Sequence, residues 1–259
     1  MQNREFIESY LDEMEDITKN ISVSDVDKVI EILFDAWKAS KQVFICGNGG
    51  SASTATHFAC DLAKATIVNG KRRFKALCLN DNIPLMSALV NDNGFDNLFY
   101  EQLKNLYQDG DVLICISVHG GAGKEKAGLW SQNLLKAMKY AADNDGTTIG
   151  LSGFDGGPMK EIADACIVVP VDSTPQVESF HMAVDTHWHS QWHFTVQASL
   201  DLNPGALAIS RIGQSLSRLT QLWKQSNQET IRPALSNTPS LATQTFPSTY
   251  SPYTASSLL

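Results

Sequence analysis

Basic charge is scarce: 20 Lys and Arg stand against 28 Asp and Glu, for a net charge of −8 at pH 7. A positive surface is what general nucleic-acid binders and cation-held peripheral membrane proteins work through, so neither nucleic acid nor a membrane is an expected partner. Long apolar runs are lacking too. None approaches the roughly 18 residues that cross a bilayer, and the opening MQNREFIESYLDEMEDITKN shows no basic-then-apolar leader. A cytoplasmic protein is expected. Paired cysteines are also missing: the five present, Cys46, Cys60, Cys78, Cys115 and Cys166, are odd in number, irregularly spaced and mostly set in apolar runs. That pattern reads as reduced core thiols rather than disulfides.

What is present is an ordinary folded chain of 259 residues, 43% apolar and 19% charged. It is long enough to bury a core without disulfides or metal. Phe6, Ile7, Tyr10, Leu11, Met14 and Ile17 recur at helical spacing among acids, and a second helix runs from Ser24, a candidate N-cap, through Trp37. Apolar runs then alternate with helical stretches: QVFICG, the helix carrying His57, RFKALCLN, helices near 82–90 and 95–107, DVLICISV, a helix through 134–142, TTIGLSG, a short helix and ACIVVPV. Strands of unbroken Val, Ile, Leu and Cys are buried on both faces. The expected fold class is therefore α/β, a three-layer doubly wound sandwich with a five-stranded parallel sheet. The two leading helices have no sheet of their own and would suit a dimer or tetramer bundle. The folded domain is expected over 1–195. Residues 196–259 form an atypical tail, rich in Ser, Thr and Pro and nearly uncharged from Asn227 onward, and are expected to be largely disordered.

Ligands of open parallel sheets sit beyond the carboxyl ends of the strands. After QVFICG, the stretch Asn48, Gly49, Gly50, Ser51 opens a helix, where backbone N–H groups and hydroxyls can meet an anion. It lacks the lysine of a P-loop, and a purely structural turn is the competing reading. His57 and Asp61 lie at i and i+4, about 6 Å apart on one helix face. They could bind a metal, share a proton transfer or only pair with each other. Further on, Glu178, His181 and Asp185 share a face, and His187, His189 and His193 follow, either as metal-binding groups or as histidines of a loosely ordered tail. Asn91 and Asp92 fall near the same sheet edge, although capping suffices to explain them.

CGNGGSASTATHFACDL, ALVNDNGFDNLF, GDVLICIS and LSGFDGGPMKEIADACIVVP, followed by TP and a His-bearing helix, resemble the sugar isomerase (SIS) family and, within it, the phosphoheptose isomerases. The similarity runs from the first helix to about His187. It implies a homotetramer with sites at subunit interfaces, a phosphorylated sugar substrate and often zinc. Carried onto this chain, it makes Asp61 and His187 (or His181) the proton-transfer pair and His57, Asp61 and Glu178 the zinc ligands. Asn48, Gly49, Gly50, Ser51, Asn91, Asp92, Ser117, His119, Gly120 and Gly121 are the substrate-binding set. The chain departs from the family where Asp61 replaces Glu, Glu178 replaces Gln and Thr186 replaces His. It departs again where SVHGGA replaces STSGNS, after which GKEKAGLWSQN reads as an insertion carrying Lys124, Lys126 and Trp130. The resemblance thus implies interconversion of sedoheptulose 7-phosphate and manno-heptose 7-phosphate. The alternative is a non-catalytic phosphosugar-binding regulator or a tetrameric scaffold.

Overall fold

The computed structural model describes residues 3–121 and 130–186. In chain order the elements are α1 (Asn3–Asn20), α2 (Val23–Lys38), β1 (Gln42–Gly47), α3 (Gly50–Cys60), a π-helical turn (Asp61–Ala65), β2 (Lys75–Cys78), α4 (Ile83–Asn93), a 3-10 turn (Phe95–Asn97) and α5 (Leu98–Leu106). Then come β3 (Val112–Ile116), α6 (Gln132–Asp143), β4 (Thr147–Gly153), α7 (Gly157–Ile162), β5 (Ala165–Val169) and α8 (174–186). The five strands form one parallel sheet in the order β2-β1-β3-β4-β5. The α/β sandwich read from the sequence is the fold observed. The expected boundary at residue 195 and the tail 196–259 lie outside the described residues.

Side chains alternate across a strand, and because both faces are covered, both sets are apolar. Val43, Ile45, Ile114 and Ile149 point to one face, where Val29 and Leu33 of α2, Ala55 and Phe58 of α3, and Val177, Phe180 and Val184 of α8 close the core. Phe44, Cys46, Leu113 and Cys115 point to the other, against Leu98, Phe99 and Leu103 of α5, Leu134 and Met138 of α6, and Met159 of α7. The chain therefore leaves β1 toward one layer and β3 toward the other. Between these neighbouring strands, paired Gly47 to Ile116 at their ends, a crevice opens at the carboxyl edge of the sheet.

Local chemistry corrects some details. Ser22, not Ser24, caps α2, its hydroxyl accepting from the Asp25 N–H at 3.3 Å. The stretch 95–107 breaks into a 3-10 turn and α5 rather than one helix. Cys46, Cys78 and Cys115 are buried free thiols as expected, but Cys60 is exposed. The apolar helix α4 buries none of its residues, and Ile83, Val90 and Phe95 are exposed, as are Phe6 and Ile7 of α1. Among the described residues no helix is long and apolar enough to cross a membrane.

The loops after β3 and β4 meet backbone to backbone. Gly120 sits at φ +58, and a Cβ there would stand 1.9 Å from the Gly156 carbonyl oxygen. The Met159 N–H donates to the Gly120 carbonyl across this contact at 2.9 Å. Gly120→Ala is expected to lose about 2–4 kcal/mol of stability through overlap and left-handed strain. Urea unfolding of the variant and the parent measures it.

Candidate active site

Two loops frame the crevice. After β1, Gly49 at φ +58 turns the chain into α3, which has no side-chain cap, so its N-terminal dipole is directed at the loop. The Ser51 and Ala52 N–H groups close on the Asn48 and Gly49 carbonyls at 3.1 and 3.0 Å, and Ser51 itself is buried. After β3, the Ser117 hydroxyl lies 3.4 Å from that of Ser131, the residue that opens α6.

The loops are locked together. Asn48 and the fully buried Asn133 exchange amide hydrogen bonds at 3.0 and 2.8 Å, and the same Asn133 carbonyl oxygen accepts from the Leu134 N–H at 3.0 Å. On the other side, the Asn80 amide accepts from the Gly47 N–H at 3.1 Å and donates to its carbonyl at 2.9 Å. Four polar groups at the end of β1 are thus satisfied by neighbouring loops, which holds the turn in one geometry.

Deeper along α3, His57 bridges solvent and core. Its Nδ1 lies 2.6 Å from Asp185 Oδ2 on α8 and 3.9 Å from Asp61 Oδ2, with side-chain exposures of 42% for His57, 17% for Asp61 and 0% for Asp185. Asp61 reaches this position as the first residue of a π-helical turn, a local widening often found at functional sites. Burial pushes the Asp185 carboxyl up to about 7, only partly offset by its bond to His57. That same bond, with the Asp61 charge adding to it, raises His57 above its ordinary value. One ligand atom from each of the three residues lies within 4.8 Å of the others, and among the described residues this is the group able to hold a metal ion.

The expected site residues divide accordingly. His57 and Asp61 come together as predicted. Glu178 stands apart from them: its carboxylate packs on Gly50, where an added Cβ would lie 2.3 Å from Oε1, and Asp185 is the acid beside His57. The reason is helical phase. Glu178 and Asp185 are seven residues apart on α8, as Gly50 and His57 are on α3, so two pairs form along the parallel helices about 10 Å apart.

His181 is buried. Its Nε2 faces the Ser152 carbonyl oxygen at 3.1 Å and burial lowers it to about 4, so it is neutral and faces the sheet. Thr186 bonds its hydroxyl back to the Met182 and Ala183 carbonyls, both at 3.1 Å. His187, Lys124 and Lys126 lie outside the described residues. His119 packs between Trp130 and Phe154, with ring centroids 5.3 and 4.3 Å away.

Gly120 donates its N–H to the Ser117 carbonyl at 3.2 Å, and a Cβ on Gly121 would press on Leu135 at 2.8 Å, so close packing accounts for both glycines. Asn91 and Asp92 are exposed and bond to each other at 2.6 Å, and the caps of the following turns are Gly94 and Asn97. The residues missed by sequence reasoning are Ser131, Asn133 and Asp185 as a partner of His57. SQN reads as the end of an insertion in the sequence, whereas Ser131 is the residue before α6, which begins at Gln132.

The SIS domain family model matches residues 5–153. The chain belongs to the SIS domain family. The SIS domain here is similar to the lincomycin biosynthesis protein LmbN of Streptomyces lincolnensis, 43% identical over 158 residues, 60% of this chain but only 56% of LmbN. It is 39% identical over 153 residues to the phosphoheptose isomerase of Nitratiruptor sp., covering 59% of this chain and 76% of that protein. The structure of phosphoheptose isomerase GmhA from Neisseria gonorrhoeae superposes with a TM-score of 0.65 at 26% identity, covering 74% of this chain and all (100%) of that one.

His181 gives the SIS domain a pH signature. An imidazole whose folded value is about 4 stays neutral while the unfolded one takes up a proton near 6.5. The unfolded state then binds more protons between those values, so this group's contribution is complete above about 6.5 and is lost as pH falls toward 4. The loss amounts to roughly 3 kcal/mol. Denaturant melts at pH 7 and pH 4.5 are expected to show a smaller drop in His181→Gln than in the parent.

Proposed function

We propose that this chain is a phosphosugar aldose/ketose isomerase that interconverts sedoheptulose 7-phosphate and manno-heptose 7-phosphate in bacterial heptose synthesis, working in the cytoplasm. The observation that carries this is the placement of the Gly49–Ser51 turn at one end of α3 and of His57 with Asp61 two to three turns along it. An open-chain sugar phosphate likewise carries its phosphate and its carbonyl at opposite ends. Relatives such as the phosphoheptose isomerases of Nitratiruptor and Neisseria support the same reading over a non-catalytic regulator or scaffold.

The loop after β1, with Ser117 and Ser131 beyond β3, takes the phosphate through N–H and hydroxyl donors. Asp61 removes a proton from the hydroxyl-bearing carbon beside the carbonyl while an imidazole protonates the carbonyl oxygen. The resulting enediol takes a proton, exchangeable with water, from Asp61 at the former carbonyl carbon as the other hydroxyl gives its proton to the imidazole. Asp61 is one methylene shorter than the family's Glu, and the wider π-helical turn that begins with it alters how its side chain is presented. His187 is the imidazole assigned to share the transfer, since Thr186 has no basic nitrogen and His181 is spent on Ser152. A zinc ion suits His57 and Asp61, an imidazole nitrogen and a carboxylate oxygen, and when bound would polarise the carbonyl.

Purified protein is expected to convert sedoheptulose 7-phosphate to the aldose, and Asp61→Asn to lower kcat by about 100-fold or more. Saturable sugar-phosphate binding without turnover in the parent would reverse the choice in favour of the regulator. The assembly is a homotetramer, supported by the uncovered apolar surface of α4 and of α1. Light scattering should give four times the 28.4 kDa chain mass, and Ile83→Glu a smaller species.

A further inference from the structure

We propose that Asp185 is the third protein ligand of a divalent-cation site built with His57 and Asp61, a role that deepens the reading above by replacing Glu178 in the ligand set. Asp185 has 0% side-chain exposure, and its Oδ1 is a buried oxygen without a hydrogen-bond partner among the described residues. A buried carboxylate oxygen that is left unpaired is costly, and a cation satisfies it. Its other oxygen, Oδ2, lies 2.6 Å from His57 Nδ1, and Asp61 Oδ2 lies 3.9 Å from the same nitrogen. The 2.6 Å contact is a hydrogen bond that a bound ion would replace. One ligand atom from each of the three residues lies within 4.8 Å of the others, near enough to close on the roughly 3.3 Å expected between two ligands each about 2 Å from a tetrahedral ion.

The ion is approached from one side only. Asp185 closes the core side, whereas His57, 42% exposed, opens to solvent. Three protein ligands with an open fourth position is the arrangement of a catalytic rather than a structural site. The donor set, one imidazole and two carboxylates, suits Zn2+ and is hard enough to accept Mn2+ as well. Glu178 is excluded by position, since its carboxylate is committed to the first turn of α3 at Gly50, two turns from His57.

Calorimetric titration of chelator-treated full-length protein with Zn2+ alone, and separately with Mn2+ alone, tests the assignment. The parent should bind one ion per chain, Asp185→Asn and Asp61→Asn should each bind at least about 100-fold more weakly, and Glu178→Gln should bind like the parent. Circular dichroism confirms that each variant is folded before titration. Unchanged affinity in a folded Asp185→Asn, or loss in Glu178→Gln with Asp185→Asn intact, would overturn the proposal. Because the ion is titrated without sugar, failure of isomerase turnover counts against the function proposed above and not against this site.

Discussion

The divergence of the chain at β1 and β3 is the constraint on which the rest depends. Two neighbouring parallel strands send their following helices to opposite layers, α3 to one and α6 to the other, which opens a gap between them at the sheet edge. The fold spends its buried amides there. Asn48 and Asn133 fasten the two loops to each other, and Asn80 fastens the end of β1 to the loop after β2. The end of β1 is thereby held in one geometry at the carboxyl edge of the sheet, where folds of this kind take their ligands.

The second constraint is a carboxylate placed where water does not reach. Asp185 could be tolerated in the core only beside a partner, and His57, rising from the adjacent helix α3, is that partner. The pairing fixes how α8 lies along α3, and it sets Glu178 against Gly50 at the same time. A single helical phase therefore decides which acid joins the imidazole and which one faces the anion loop.

Much of this was readable in the amino acids. Continuous Val, Ile, Leu and Cys runs announced a sheet covered on both faces, and the glycines after QVFICG announced a turn into a helix. The i, i+4 spacing placed His57 beside Asp61, as the structure does. What could not be read was any contact between segments distant in sequence. Glu178 and Asp185 occupy the same face of one helix by periodicity, and only the packing of α8 on α3 distinguishes them. Asn133 looked like part of an insertion because its partner, Asn48, lies 85 residues earlier. Gly120 looked like an anion donor, and its real constraint is the Gly156 backbone it touches.

The central claim, that the polar groups along α3 move a proton between adjacent carbons of a bound sugar phosphate, has a direct readout in isotope exchange. Proton NMR of sedoheptulose 7-phosphate incubated with the protein in deuterated water should show deuterium entering the carbon beside the carbonyl, at a rate that falls with Asp61→Asn. Saturable binding of the sugar with its carbon-bound protons retained would contradict the account.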